Sequence, residues 1–163
     1  MGKTCTTLLA SLIAACALAS PSGLTPTQIA SLKKAGKVVI PTFIPEGFKV
    51  VLCSAFPGSY TIQYRGPEPG VELTIEMASQ GIGDIVLGGD ADKKTLKASK
   101  GKVSNVTFGK RDLYVATAKN YMAFSTSWVD LGKKAKPRFF CIIGHQIDPI
   151  IGAKIYQGLK YLN

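Results

Sequence analysis

The sequence predicts an α+β fold: a curved antiparallel sheet of about six or seven strands, a C-terminal amphipathic helix packed on it, and a short N-terminal helix. Two observations predict it. Apolar residues alternate with polar ones at period two over adjacent runs separated by turn residues, which is the pattern of half-buried hairpins. Near each end of the chain a capping residue followed by proline starts an apolar stripe at helical spacing.

The first helix is predicted from Thr25 as cap and Pro26 at the first position, through Ile29 and Leu32, to a stop at Gly36. Lys33 and Lys34 fall in its last turn, where the helix dipole favours cations. Val38 to Ile40 read as a short strand. Tyr60, Ile62 and Tyr64 then alternate with Thr61, Gln63 and Arg65, and Val71, Leu73, Ile75 and Met77 alternate with Glu72, Thr74 and Glu76. Pairing Tyr64 with Leu73 and Ile62 with Ile75 keeps apolar side chains on one face and sets Arg65 opposite Glu72. The loop between them is Pro67-Glu68-Pro69-Gly70.

Glycines and aspartates between Gly81 and Lys102 suggest turns around a strand at Ile85 to Leu87. A second hairpin is expected to run from Val103 to Phe108 and back from Asp112 to Ala118, turning at Gly109-Lys110 and setting Val106 against Leu113. Tyr121 to Val129 follow as a strand with Met122, Phe124 and Trp128 on one face. Arg138 to Gly144 form a strongly apolar one. The closing helix is capped by Asp148, with Pro149 first and a stripe of Ile150, Ile151, Ile155, Leu159 and Leu162.

Ahead of all these elements, residues 1–19 read as an export signal. Lys3 supplies the positive end, Thr4 to Ala15 the apolar stretch, and Pro21 and Gly23 stop it short of a membrane span. Ala17-Leu18-Ala19 fits ordinary signal peptidase, whereas Ile13-Ala14-Ala15-Cys16 fits a lipobox that would lipidate Cys16. Both place the protein outside the cytoplasm, periplasmic or secreted, with membrane attachment only through such an anchor. Residues 20–23 are then a leader and 24–163 one domain.

Twenty Lys and Arg face 10 Asp and Glu, for a net charge of +10, and removing Lys3 leaves about +9. Only Arg65, Arg111 and Arg138 are arginines. Dispersed lysines suit loose attraction to polyanions better than forked phosphate recognition. Export argues against nucleic acid and for anionic lipid, a cell-wall polymer or an envelope protein as partner. Lys93, Lys94, Lys97, Lys100, Lys102, Lys110 and Arg111 form the candidate anion-binding cluster, alongside Lys133, Lys134, Lys136 and Arg138. Cys53 and Cys141 are an even pair in an oxidising compartment, so a disulfide is expected. Closing a loop of about 88 residues would contribute roughly 4 kcal/mol, the alternative being two buried thiols.

Catalytic motifs are absent. His145 is the single histidine, with no Gly-x-Ser-x-Gly elbow to serve, and a loop or capping role is expected for it. One His and two cysteines cannot make a zinc site, Asp90 and Asp92 supply too few calcium ligands, and Gly81-Ile82-Gly83 lacks the rest of a dinucleotide fingerprint. No catalytic residue, metal or cofactor is therefore assigned. Glu46, Glu68, Glu72 and Glu76 fit a surface role better than a glycosidase pair.

Pro41-Thr42-Phe43-Ile44-Pro45-Glu46-Gly47-Phe48 allows an extended approach at Pro45, a turn at Gly47, and anchoring of Phe43 and Phe48 in the core. The segment resembles the P-x-[YF]-[LI]-P-E-G-[YF] signature of a bacterial extracytoplasmic domain family of unknown function, found in lipoproteins and anti-sigma-factor-like proteins. The likeness spans about residues 38 to 162. It implies an accessory module and no catalytic residues, while the two mature cysteines, the lysine-rich insertion and the missing membrane span depart from it.

The reading that follows is an exported, non-enzymatic binding module. A lipid-carrier-like half-barrel, with a dry cavity lined by Phe124, Trp128 and Ile155, is the first alternative, and a small hydrolase centred on His145 the second. Intact-mass measurement on protein from its native host is expected to show a mature chain beginning at Ser20 or at lipidated Cys16. Retention of Met1 in soluble cytoplasmic protein would overturn the export assignment.

Overall fold

A computed structural model describes residues 22–80, 100–101, 113–118 and 120–162. The export segment with Cys16, the aspartates Asp90 and Asp92, the strand expected at Ile85 to Leu87, and Lys93, Lys94, Lys97, Lys102, Lys110 and Arg111 lie outside these residues. Within them the fold is α+β. It comprises α1 (Pro26–Lys33), β1 (Val38–Pro41), β2 (Lys49–Phe56), β3 (Ser59–Arg65), β4 (Glu72–Ala78), β5 (Lys100–Gly101), β6 (Leu113–Ala118), β7 (Tyr121–Ser125), β8 (Val129–Asp130), β9 (Phe139–His145), α2 (Pro149–Gln157) and β10 (Leu159–Leu162).

The main sheet is antiparallel and open, in the order β2-β3-β4-β9-β7-β6-β5, and β8 continues along the β9 edge that β7 leaves. The β3–β4 register is the one that polarity dictates: Tyr64 pairs with Leu73, Ile62 with Ile75 and Arg65 with Glu72. Tyr60, Ile62, Tyr64, Leu73, Ile75, Met77, Phe140 and Ile142 are buried on one face of this sheet. Across the core lie Leu32 of α1, Ile155 and Tyr156 of α2, and the ribbon that β1 forms with β10. The Tyr60 hydroxyl accepts from the Val39 N–H and donates to the Val39 carbonyl, both at 2.7 Å, so it joins that ribbon to the sheet without leaving a buried polar group unpaired.

Both helix starts follow their local chemistry. Thr25 and Gln28 form a reciprocal capping box, with Gln28 N–H to Thr25 Oγ1 at 3.2 Å and Thr25 N–H to Gln28 Oε1 at 2.8 Å. The Asp148 carboxylate accepts from the Ile150 N–H at 2.7 Å. The second helix is shorter than its apolar spacing suggests. It ends at Gln157, because Gly158 turns the chain and its carbonyl is taken by the Thr42 N–H (2.8 Å) and hydroxyl (2.6 Å). Leu159 and Leu162 therefore belong to β10, and Ile150 points outward at 69% exposure.

Three further expectations are corrected. Leu113 pairs with Gly101 rather than with Val106, and the expected turn at Gly109-Lys110 lies outside the described residues. Phe43 does not anchor in the core but is 42% exposed, although Phe48 packs against it and Gly47 makes the expected turn at φ +82°. The strand from Tyr121 breaks at residues 126–128, which resets the alternation: Val129, not Trp128, follows Phe124 onto the core face, and Met122 is exposed.

Phe124 governs how closely α2 meets the sheet. A Cβ on Gly144 of β9 would lie 2.1 Å from the Phe124 ring, and one on Gly152 of α2 would lie 2.5 Å from it. Gly144→Ala is expected to destabilise the fold by about 1–3 kcal/mol through overpacking, and Phe124→Leu to relieve part of that loss in the double variant. Urea unfolding of the two single variants and the double variant checks this. Additive losses would show that the ring and the glycine are not coupled.

Candidate basic cleft

The turn between β8 and β9 comes back beside the C-terminal end of α1. Asp130 organises it: its carboxylate accepts from the Gly132 N–H (2.8 Å) and takes the Arg138 guanidinium in a two-point contact at 2.8 and 2.5 Å. That contact raises the Arg138 pKa further and fixes the side chain at the rim. The turn continues through Ala135, whose N–H bonds to the Gly132 carbonyl, to a cis Lys136–Pro137 peptide.

Two glycines allow the neighbouring segments to close on this turn. Gly36, just beyond α1, has φ +107°, and a Cβ there would lie 2.7 Å from the Lys136 carbonyl oxygen. The next residue, Lys37, donates its N–H to that same carbonyl at 2.9 Å. Gly58, in the β2–β3 turn, has φ +81°, donates to the Ala35 carbonyl at 3.1 Å, and its own carbonyl accepts from the Ser79 hydroxyl at 2.7 Å. Four segments distant in sequence thus meet at one end of the sheet.

Between them lies a cleft of about 550 Å³, open to solvent, with Lys34, Lys133, Lys136 and Arg138 in its walls and Gly36, Gly58 and Ser79 at their junction. Asp130 pairs with Arg138. Lys37 is directed elsewhere, its Nζ 3.9 Å from the centre of the Tyr161 ring. Acidic groups gather at the other end of the sheet, where Glu46, Glu68 and Asp148 line a smaller hollow beside the β3–β4 turn. The described part of the molecule is therefore electrically polar along its strands, with cations concentrated around the opening.

Of the sequence candidates, Lys133, Lys136 and Arg138 line this cleft and Lys134 is exposed on the same turn. Lys100 has its backbone in β5. In the sequence Lys34 presents only as a helix-dipole partner, and its position in the cleft follows from the Gly36 turn. Gly58 and Ser79 carry no motif that would single them out.

The other candidates are separated. Glu72 and Glu76 occupy the outer face of β4 four residues apart, about 13 Å along the strand, beyond the spacing of a glycosidase pair. His145 is the last residue of β9, not a loop residue, and it is paired with Glu72 and Ala123 with its ring 6.5 Å from that of Tyr121. Among the described residues no three His, Cys, Asp or Glu side chains are grouped to hold a metal, and no helix is long and apolar enough to cross a membrane.

The expected disulfide is not formed: Cys53 and Cys141 are both free. Register explains why. Cys53 lies in the row Cys53-Ile62-Ile75-Ile142, so Cys141 is three strand spacings away, about 14 Å, and on the opposite face. Burial pushes the Cys141 thiol up to about 12, against the smaller lowering effect of Ser125 and Thr126, and it also raises Cys53. Tyr60 and Tyr64 are raised by burial too. All these groups are held protonated in the fold, so their contribution is complete below the unfolded-state pKa and is lost as pH rises.

Compared with protein-family models, with curated proteins and with solved structures, the chain matches none. The likeness carried by Pro41 to Phe48 gains no support from these comparisons.

Alkylation of the mature chain at pH 8 is expected to modify Cys53 ahead of Cys141 and to reach both only in denaturant. Stability measured by urea unfolding should fall between pH 9 and 12, and Cys141→Ala should flatten that fall. A Cys53–Cys141 linked peptide under non-reducing conditions would contradict the register.

Proposed function

We propose that this protein is an exported, non-enzymatic binding module of the bacterial envelope or secreted fraction, and that its basic cleft holds anionic groups of an envelope polyanion. The observation that carries the reading is the convergence of Lys34 with Lys133, Lys136 and Arg138 from a distant segment around one opening, at whose rim Asp130 holds Arg138. Residues 1–19 support the location, and the Pro-Glu-Gly resemblance supports an accessory role. Lysine at three of the four cationic positions suits phosphates or carboxylates met in varied geometry, because an ammonium group is a compact charge without a fixed fork.

Among the described residues, Phe124, Trp128 and Ile155 do not line a common cavity of the kind a lipid carrier would need. Phe124 and Ile155 are fully buried, the Phe124 ring fills the space beside Gly144 and Gly152, and Trp128 lies on the other face of the sheet. Among the described residues, no Ser, Cys or carboxylate side chain is hydrogen-bonded to His145, which favours the binding reading over a hydrolase. Cys141, on the same face, is four residues away along β9 and its thiol is held protonated.

Binding to polyphosphate or to phosphatidylglycerol vesicles is expected to strengthen as salt is lowered. Lys34→Glu with Lys136→Glu should weaken it at least tenfold at 50 mM salt and reduce the salt slope. Lys154→Glu with Lys160→Glu makes the same change in net charge at exposed positions of α2 and β10 and should weaken binding far less. Equal losses in the two pairs, measured by titration calorimetry and vesicle sedimentation, would assign the effect to net charge and remove the cleft from the account.

A further inference from the structure

The break between β7 and β8 is built rather than loose. Ser125 and Thr126 are buried, yet their hydroxyls are satisfied within the break and by β9. Ser125 Oγ accepts from the Ser127 N–H at 2.9 Å, Thr126 Oγ1 donates to the Ser127 carbonyl at 2.9 Å, and Thr126 Oγ1 accepts from the Ile142 N–H at 3.1 Å. Ser127 is thereby held at φ 53°, a left-handed conformation that a residue with a Cβ adopts only when its surroundings impose it. The result is that Trp128, the one tryptophan of the chain, leaves the core face.

Trp128 lines a groove of about 240 Å³ on the outer face, together with Phe56, Ser54, Thr61 and Glu76. Phe56 is 65% exposed, which sets an apolar surface against one carboxylate and the hydroxyl-bearing Ser54, Ser59 and Thr61. Thr61 Oγ1 lies 3.4 Å from Glu76 Oε1, so the polar groups sit side by side.

This groove adjoins the basic cleft. Phe56 precedes Pro57, Ser59 follows Gly58, and Ala78 precedes Ser79, so the β2–β3 turn and the end of β4 contribute to both openings. Beyond Trp128, Asp130 of β8 holds Arg138 at the rim of the cleft. One ligand could span the two, but its parts must differ. Glu76 repels an anionic group from the groove, whereas the lysines attract one into the cleft.

From this juxtaposition we infer that the polyanion is an acidic polysaccharide: the neutral face of one pyranose ring stacks on Trp128, its hydroxyls meet Glu76, Thr61 and Ser54, and carboxylate or phosphate substituents of adjoining sugars enter the basic cleft. This inference rests on the cleft reading and adds the chemical class of the ligand. The part of the half-buried indole that lines the groove offers an apolar surface at little entropic cost, and a carboxylate accepts strong hydrogen bonds from sugar hydroxyls. The groove has room for about one such ring. A polyphosphate or a lipid headgroup would engage the cleft and leave the indole unused.

The test uses the mature protein with oligogalacturonate, polyphosphate and phosphatidylglycerol vesicles as probes. Trp128→Ala should lower affinity for oligogalacturonate at least tenfold and leave polyphosphate affinity within twofold, with Trp128→Phe intermediate. Oligogalacturonate should shift Trp128 emission and shield it from acrylamide quenching, which the other two probes should not do. Equal oligogalacturonate affinity in wild type and Trp128→Ala, with both proteins shown folded by circular dichroism, would overturn the inference while leaving the cleft reading intact. Preferential binding of vesicles with unchanged emission would overturn it in favour of a lipid surface. Failure of all three probes to bind would overturn the cleft reading and this inference together.

Discussion

The structure depends on the insertion of one aromatic ring where two glycines face each other. Phe124 stands on β7 opposite Gly144 of β9, and α2 lays Gly152 over the same ring. A helix normally meets a sheet through side chains on both surfaces; here the missing β-carbons let one ring serve as the spacer for both. This close approach fixes the level of α2. From there Gly158 can turn the chain so that β10 reaches β1, and the β1–β10 ribbon covers the core opposite β3 and β4.

That ribbon is secured chiefly by packing and by the Tyr60 hydroxyl, which serves both backbone groups of Val39. Burial of a tyrosine oxygen without partners would be costly, and with two it becomes a directional tie between layers. Tyr64 does the same for the start of the domain, donating to the Ser22 carbonyl at 2.9 Å. The surface pair of Arg65 and Glu72, by contrast, is separated by 3.9 Å and exposed, and adds little. The architecture thus relies on interior complementarity, which leaves the surface charges available for another use.

Their use follows from how turns are distributed. The β2–β3 turn and the end of β4 lie at the same end of the sheet as the β8–β9 turn, and the end of α1 meets them there. Lysines are placed in or beside these turns, while Glu68 lies in the β3–β4 turn at the opposite end. Charge separation therefore needs no long-range arrangement beyond alternating hairpins. The Trp128 groove shares the cationic end because the β7–β8 break is located one strand from β4, on the outer face.

Local signals in the sequence were sufficient for the α+β class, both helix starts and the β3–β4 register, because each depends on a few neighbouring residues: Thr25-Pro26 and Asp148-Pro149 for the caps, and alternation of Tyr60 to Met77 for the pairing. The lysines of the Gly132–Pro137 turn were also legible as a basic cluster. Its partner Lys34, the closing glycines Gly36 and Gly58, and the placement of Trp128 were not, since each is defined by contacts across dozens of residues. The same limit accounts for the cysteines. An even count and an export signal speak to redox setting, but whether two thiols meet is a question of strand order and face, and four strands in register set Cys53 and Cys141 on opposite sides of the sheet. Sequence alone determined where the helices start and how β3 pairs with β4, because those choices are made by backbone chemistry and side-chain alternation within a few residues. Only the tertiary structure decided which side chains share a site, because that depends on how the strands are ordered and on where glycines let distant segments touch.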